Sequence, residues 1–159
     1  MNWYKKAKLN ISDEKWNALS DLEKEQHIKE EHFKKFPEKI SIPPLSQFIL
    51  RPTDKSYCKL VNINVDEFDR LFQNNKDQYI GKSGTLNAVK GRYQGFLDFL
   101  REGKQIEAPT INFNEEFNQI EFTNGRHRYS VLRDMGMKIM PVSIDINNIE
   151  IAKKSGILT

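Results

Sequence analysis

The run Ile120-Glu121-Phe122-Thr123-Asn124-Gly125-Arg126-His127-Arg128-Tyr129-Ser130-Val131-Leu132-Arg133-Asp134-Met135-Gly136 changes periodicity midway, and that change constrains the fold more than any other feature of the chain. Ile120 and Phe122 alternate with polar residues, the period-two pattern of a half-buried strand. Asn124-Gly125 breaks the pattern. Tyr129, Leu132 and Met135 then recur at helical spacing up to Gly136, a natural left-handed C-cap. The predicted order is strand, turn, helix, with Gly125, Arg126, His127 and Arg128 at the helix entry. A helix start leaves backbone N–H groups without intrahelical acceptors and carries the positive end of the dipole, so it favours an anion before any side chain is counted. The competing reading is a hairpin. Asn-Gly between two alternating runs is a strong signal for one, and Arg126 to Arg128 would then open a solvated return strand. Local chemistry leaves both readings open.

A second informative stretch is Tyr79-Ile80-Gly81-Lys82-Ser83-Gly84-Thr85-Leu86-Asn87-Ala88-Val89-Lys90-Gly91-Arg92-Tyr93. Gly81-Lys82-Ser83 invites a P-loop reading, but that motif needs a glycine at position 76, which is Lys76. What remains is a donor-rich turn followed by Lys90 and Arg92, at the start of a helix predicted over 92–101 with Tyr93, Phe96, Leu97 and Leu100 as its buried face. Such a loop can close over phosphates or hold a nucleic-acid backbone, and it can equally be an ordinary surface loop. Gly91 and Gly95 each cost roughly 1 kcal/mol inside a helix relative to Ala, which suggests a late helix start or a close backbone approach.

The remaining elements follow in chain order. Residues 1–39 read as a charged helical extension: Ser12 precedes one short helix, and Ser20-Asp21-Leu22-Glu23 is a capping-box pattern for another running to about Phe36. Trp3, Tyr4, Trp16, Leu19, Ile28, Phe33 and Phe36 are its apolar anchors, for docking on the main domain or on a protein partner. His27 and His32 are five apart and diverge on a helix, so they do not form a zinc pair. Residues 40–59, with Pro43, Pro44 and Pro52, read as an extended connector holding a short strand near 47–50. Residues 60–159 read as the core domain: a strand over 60–65, a helix over 66–72, a strand over 106–113 interrupted at Pro109, a hairpin loop at 114–118, the strand–turn–helix unit and a strand over 139–146. Glu121 is the first candidate for a general base, although an alternating strand that buries Ile120 and Phe122 turns it away from the core.

Composition removes several classes. With 25 Lys+Arg against 22 Asp+Glu the net charge is only +3, so a nucleic-acid partner would have to be recognised through a local patch. Cys58 is the single cysteine, which excludes an intrachain disulfide and a cysteine-rich metal site. There is no apolar run of membrane-spanning length and no signal-peptide core, so the expected compartment is the cytoplasm and no membrane partner is expected.

The motif Phe122-x-Asn124-Gly125-Arg126-His127-Arg128, followed by a short helix, Gly136 and Met140-Pro141-Val142-Ser143-Ile144, resembles the nucleotide-binding core shared by the ParB N-terminal domain, sulfiredoxin and free serine kinases. The resemblance covers Pro109 to Asp145 best and Leu60 to Asp145 more loosely. It implies an α+β fold of the ParB/sulfiredoxin-like type, a small mixed sheet flanked by helices, with the N-terminal helical extension added. It also implies ATP or CTP with Mg²⁺ and a reaction of hydrolysis or phosphoryl transfer. Asn124, Gly125, Arg126, His127 and Arg128 become the phosphate-binding turn, Lys82, Lys90 or Arg92 a closing contact, and Glu121 and His127 the catalytic candidates. Sulfiredoxins carry a cysteine immediately before His-Arg; here that residue is Arg126, so sulfinic-acid repair is not expected. Partition-type ParB proteins continue into further DNA-binding and dimerisation elements, whereas fourteen residues follow Asp145 in this sequence. Two other readings remain: a DNA-binding protein or nuclease of the ParB-like type, and a catalytically inactive interaction module.

Overall fold

Met140 to Ile144 are buried throughout and form a central strand of the sheet, covered on both faces. A computed structural model describes residues 12–26, 40–115 and 119–159. Its principal sheet has four strands in the order β2 (Cys58–Asn64), β8 (Ile139–Asp145), β6 (Thr110–Asn114), β7 (Gln119–Asn124). The β2–β8 and β6–β7 pairs are antiparallel and β6–β8 is parallel. The fold is therefore α+β with a mixed sheet. Pro141 is tolerated in the central strand because β6 pairs with β8 only at Ser143 and Ile144, beyond the proline.

Two smaller pairings frame this sheet. β1 (Phe48–Ile49) lies parallel to β5 (Ile106–Glu107), and β3 (Ile80–Gly81) forms a hairpin with β4 (Thr85–Leu86). The stretch 40–59 is thus more than a connector: Phe48 is buried in the core, and the buried Asp54 accepts hydrogen bonds from Thr110 (2.6 Å) and Ser143 (3.2 Å). The predicted strand over 106–113 is split by Pro109 into β5 and β6, which join different sheets.

The helices sit where the periodicity places them. α1 (Asp13–Asn17) is capped by Ser12, and Ser20 and Glu23 exchange the two bonds of a capping box (3.1 and 3.2 Å) at the start of the helical residues 21–26. Trp16 is buried; the continuation to Phe36, the other aromatic anchors except Trp16, His27, His32 and the tip of the 114–118 loop lie outside the described residues. α2 (Val65–Phe72) is capped by Asn64, whose Oδ1 accepts from the Glu67 N–H, and buries Phe68 and Phe72. α3 (Arg92–Leu100) starts behind Gly91 in the left-handed conformation, the late start expected there, whereas Gly95 lies inside the helix with open space where a Cβ would stand and no close backbone approach. α4 (Arg126–Asp134) follows Gly125, which settles the turn against the hairpin reading. Beyond Ser155, the end of α5 (Ile149–Ser155), Ile157 is buried and Leu158 bridges to Ile63.

Two features fix where α4 points. Beneath it Phe68, Phe72, Phe122 and Tyr129 form one aromatic cluster, with ring centroids 4.9–5.9 Å apart. Beside it the free edge of β7 is covered by side-chain amides. Gln78 accepts from the Phe122 N–H (2.7 Å) and donates to its carbonyl (3.2 Å), and Asn75 donates to the Ile120 carbonyl (3.0 Å). These bonds hold residues 75–79 against the strand that leads into Gly125. Among the described residues no helix is long and apolar enough to cross a membrane.

Candidate functional site

Gly125 stands at the hinge between β7 and α4 with φ +86°, a conformation costly for any residue with a Cβ. A Cβ there would lie 2.8 Å from the Pro109 Cα and 2.7 Å from Arg128 Nη2, so the position is closed sterically as well. No side chain caps α4; its first hydrogen bond runs from the Tyr129 N–H to the Gly125 carbonyl, leaving the N–H groups of residues 126–128 ahead of the helical ladder. α3 packs beside it and repeats the arrangement, with the left-handed Gly91 as N-cap and no side-chain cap. Two positive helix ends therefore converge, with Arg92 close enough to His127 to depress its basicity.

In front of them opens a cavity of about 780 Å³. Asn124, Gly125, His127 and Arg128 form one wall, Arg92, Phe96 and Phe99 of α3 a second, and Ile49, Lys104, Gln105 and Glu107 the rest. This size suits a small organic ligand. Arg128 donates from Nη2 to Asn124 Oδ1 (2.9 Å), while its Nε is buried with no partner among the described residues. A buried donor left unpaired costs stability unless a ligand takes it up. Burial pulls the Arg128 pKa down, with Glu107 opposing and Arg51 reinforcing that shift.

His127 differs from its expected role. Its Nε2 accepts the Val89 N–H at 2.8 Å, which puts the ring proton on Nδ1 and ties the 87–91 loop to α4. Burial, then the charges of Arg126 and Arg92, push its pKa down to about 4, so the ring is neutral at pH 7. The lone pair a general base needs is already engaged. His127 still lines the cavity and can donate from Nδ1, but neither a cationic clamp nor a base at Nε2 is consistent with this bonding.

Arg126 also departs from expectation. Its Nη1 donates to the carbonyls of Asn87 (2.7 Å) and Gln78 (3.2 Å), so it fastens two loops to the helix start and does not line the cavity. Lys82 lies at the opposite end of α4, 4.0 Å from Asp134 Oδ1, which is roughly 13 Å along the helix from Gly125 at 1.5 Å per residue. It is no closing contact for the turn. Lys90 is exposed in the turn before α3 and is not among the cavity residues; Arg92 is. Glu121 accepts from Asn114 Nδ2 at 2.6 Å and likewise stands off the cavity, on the strand face opposite the buried Ile120 and Phe122.

The carboxylate that does reach the cavity is Glu107, whose Oε2 is 3.5 Å from Arg51 Nε. Sequence reasoning missed it, along with Phe96 and Phe99 as site residues. Glu107 arrives through the β1–β5 pairing, a non-local contact without a periodic signal, whereas Phe96 was assigned wholly to the core. Among the described residues no group of three or more His, Cys, Asp or Glu side chains is arranged to hold a metal ion. Comparisons of the chain with protein families, with curated proteins and with solved structures give no match.

Proposed function

We propose that this cavity binds a nucleoside triphosphate, ATP or CTP, with its phosphates at the converging starts of α3 and α4, as in the ParB/sulfiredoxin-like proteins that the Gly125–Arg128 turn resembles. The observation that carries the reading is the uncapped start of α4 on the cavity wall, with Arg128 Nε unpartnered among the described residues and Arg92 of α3 lining the same cavity. Oriented N–H groups and planar guanidinium forks are the donors that phosphate oxygens take. Asn124 holds the Arg128 fork in place, and Gly125 lets the backbone approach the ligand.

Mg²⁺ fits the site in one respect. It binds nucleotides through phosphate oxygens and one or two protein carboxylates, and Glu107 is a carboxylate on the wall beside Arg128. Bound there with the nucleotide, the ion would supply charge neutralisation. The reaction we propose is hydrolysis or phosphoryl transfer, in which positioning and neutralisation do most of the catalysis. This chain's own part is to orient the phosphates with Arg128, Arg92 and the start of α4, with Glu107 as the carboxylate beside them.

The test is calorimetric titration of the protein with ATP, CTP, GTP and UTP in the presence of Mg²⁺, at two salt concentrations. Saturable binding of at least one nucleotide, weakened in Arg128→Ala and in the exposed-site variant Arg92→Ala, supports the reading. No nucleotide binding, together with DNA binding whose affinity falls steeply with salt, would replace it with the nucleic-acid reading. A folded protein that binds neither ligand would leave the interaction module.

A further inference from the structure

The cavity is chemically lopsided. Its positive groups collect at one end, where Arg92 and Arg128, whose Nε has no partner among the described residues, stand beside the start of α4. The other end contains Phe99, Lys104 and Gln105, and the Lys104 ammonium there is already paired with Glu102 at 2.9 Å. α3 connects the two ends. It starts at Arg92 beside His127 and runs along the cavity wall, so Phe96 lies about one turn and Phe99 about two turns from the cationic end, roughly 6 and 10 Å at 1.5 Å per residue. The two rings are stacked, with centroids 5.9 Å apart and planes 19° from parallel, so Phe96 backs the flat apolar ring of Phe99.

Phe96 is 7% exposed and belongs to the core, while Phe99 is only half-buried, so Phe99 offers the more accessible ring. A flat apolar surface two helical turns from an anion site matches a ligand with a phosphate at one end and a planar ring at the other, the two joined by a sugar. We infer that Phe99, backed by Phe96, is a stacking platform for the heteroaromatic ring of a mononucleotide whose phosphates occupy the Arg92–Arg128 end. This inference rests on the proposed phosphate site and adds a specificity surface to it. It commits the cavity to free nucleotides over sugar phosphates and inorganic polyphosphate. Gln105, exposed at the same end beside the backbone that Gln47 fixes through the Lys104 carbonyl (2.7 Å), is the side chain placed to meet the ring edge.

The experiment compares inorganic tripolyphosphate with a nucleoside triphosphate, both with Mg²⁺, on the wild-type protein and on Phe99→Ala and Arg92→Ala. Base stacking on an aromatic side chain contributes about 1–3 kcal/mol, so the wild type should bind the nucleotide roughly 5- to 150-fold more tightly than tripolyphosphate. Phe99→Ala should erase that ratio while leaving tripolyphosphate affinity within about twofold. Arg92→Ala should weaken both ligands by similar factors and keep the ratio. As a readout that does not depend on truncating the ring, the fluorescence added by Phe99→Trp should be quenched by the nucleotide and unaffected by tripolyphosphate. Equal wild-type affinity for the two ligands, or an unchanged ratio in Phe99→Ala, overturns the platform and spares the phosphate site. Failure of both ligands to bind overturns the phosphate site and the platform with it.

Discussion

Both ends of α4 carry arginine, in surroundings of opposite physical character. At the C-terminal end Arg133 donates to Asp69 (3.0 Å), Asp134 (3.0 Å) and the Ile80 carbonyl (2.7 Å), and lies over the rings of Tyr79 and Tyr129. Asp69 accepts further bonds from Tyr79 and Tyr129 (2.9 Å each), and Asp134 from Tyr93 (2.6 Å) and the Ser83 N–H (2.9 Å). Burial alone would lower the Arg133 pKa, but the charges of Asp134 and Asp69 outweigh it and raise it. Burial likewise would raise Asp69, and Arg133 with the tyrosine hydroxyls holds it below the usual carboxylate value. At the N-terminal end two helix starts, the Arg128 Nε and Arg92 face a cavity with few partners. An unpartnered donor alone does not separate the arginines, since Arg133 Nη2 and Arg128 Nε are both buried without a partner among the described residues. What differs is that Arg126 and Arg133 bond loop carbonyls and buried carboxylates and build the helix's seat, whereas Arg128 stands on the cavity wall.

The largest effect that would sharpen this contrast is at the closed end. Arg133→Met leaves Asp69 and Asp134 buried without their cation and should cost about 3–5 kcal/mol, read as a fall in the urea midpoint with unchanged slope. A loss below about 1 kcal/mol would mean that the closed end is not the structural anchor. Gly125→Ala comes next: it combines a strained φ with a backbone clash at Pro109 and should destabilise by about 1–3 kcal/mol, measured the same way.

A smaller effect is expected from pH. The unfolded chain protonates His127 near 6.5 and the folded chain only near 4, so between those values the unfolded state binds the extra proton and stability falls as pH is lowered. The loss should be on the order of 1–3 kcal/mol across that window and level off below it; His127→Gln should flatten the curve. Asp69, whose folded pKa lies below its ordinary value of 3.8, contributes a separate loss at still lower pH. The smallest effect on stability is expected from Arg92→Ala, within about 0.5 kcal/mol, because the side chain is exposed. Its nucleotide affinity should nonetheless drop severalfold in the calorimetric titration, which separates binding from folding.

How much of this was legible in the sequence depended on the range of the contacts involved. The β7–Gly125–α4 unit, the Ser20–Glu23 capping box and the late start of α3 were all readable, because a glycine, a cap or a change of period is encoded within a few residues. Arg126, Arg128 and Arg133 could not be told apart, since their partners come from residues 78, 87, 124, 69 and 80, several of them in other elements. The same holds for the carboxylates. Glu121 is adjacent to the turn in sequence but bonded to Asn114, and Glu107 reaches the cavity only because β5 pairs with β1. Lys82 looked like a phosphate ligand because of its glycine neighbours, yet the turn that holds it folds against Asp134.

The most direct measurement is an amide-resonance titration of isotopically labelled protein with Mg²⁺ and a nucleoside triphosphate. The account predicts that the resonances of Gly125, Arg126, His127, Arg128 and Arg92 move progressively to saturation, while those of Ser83, Arg133 and Asp134 at the closed end stay within experimental error. No movement at Gly125 to Arg128, or equal movement at both ends of α4, would contradict it.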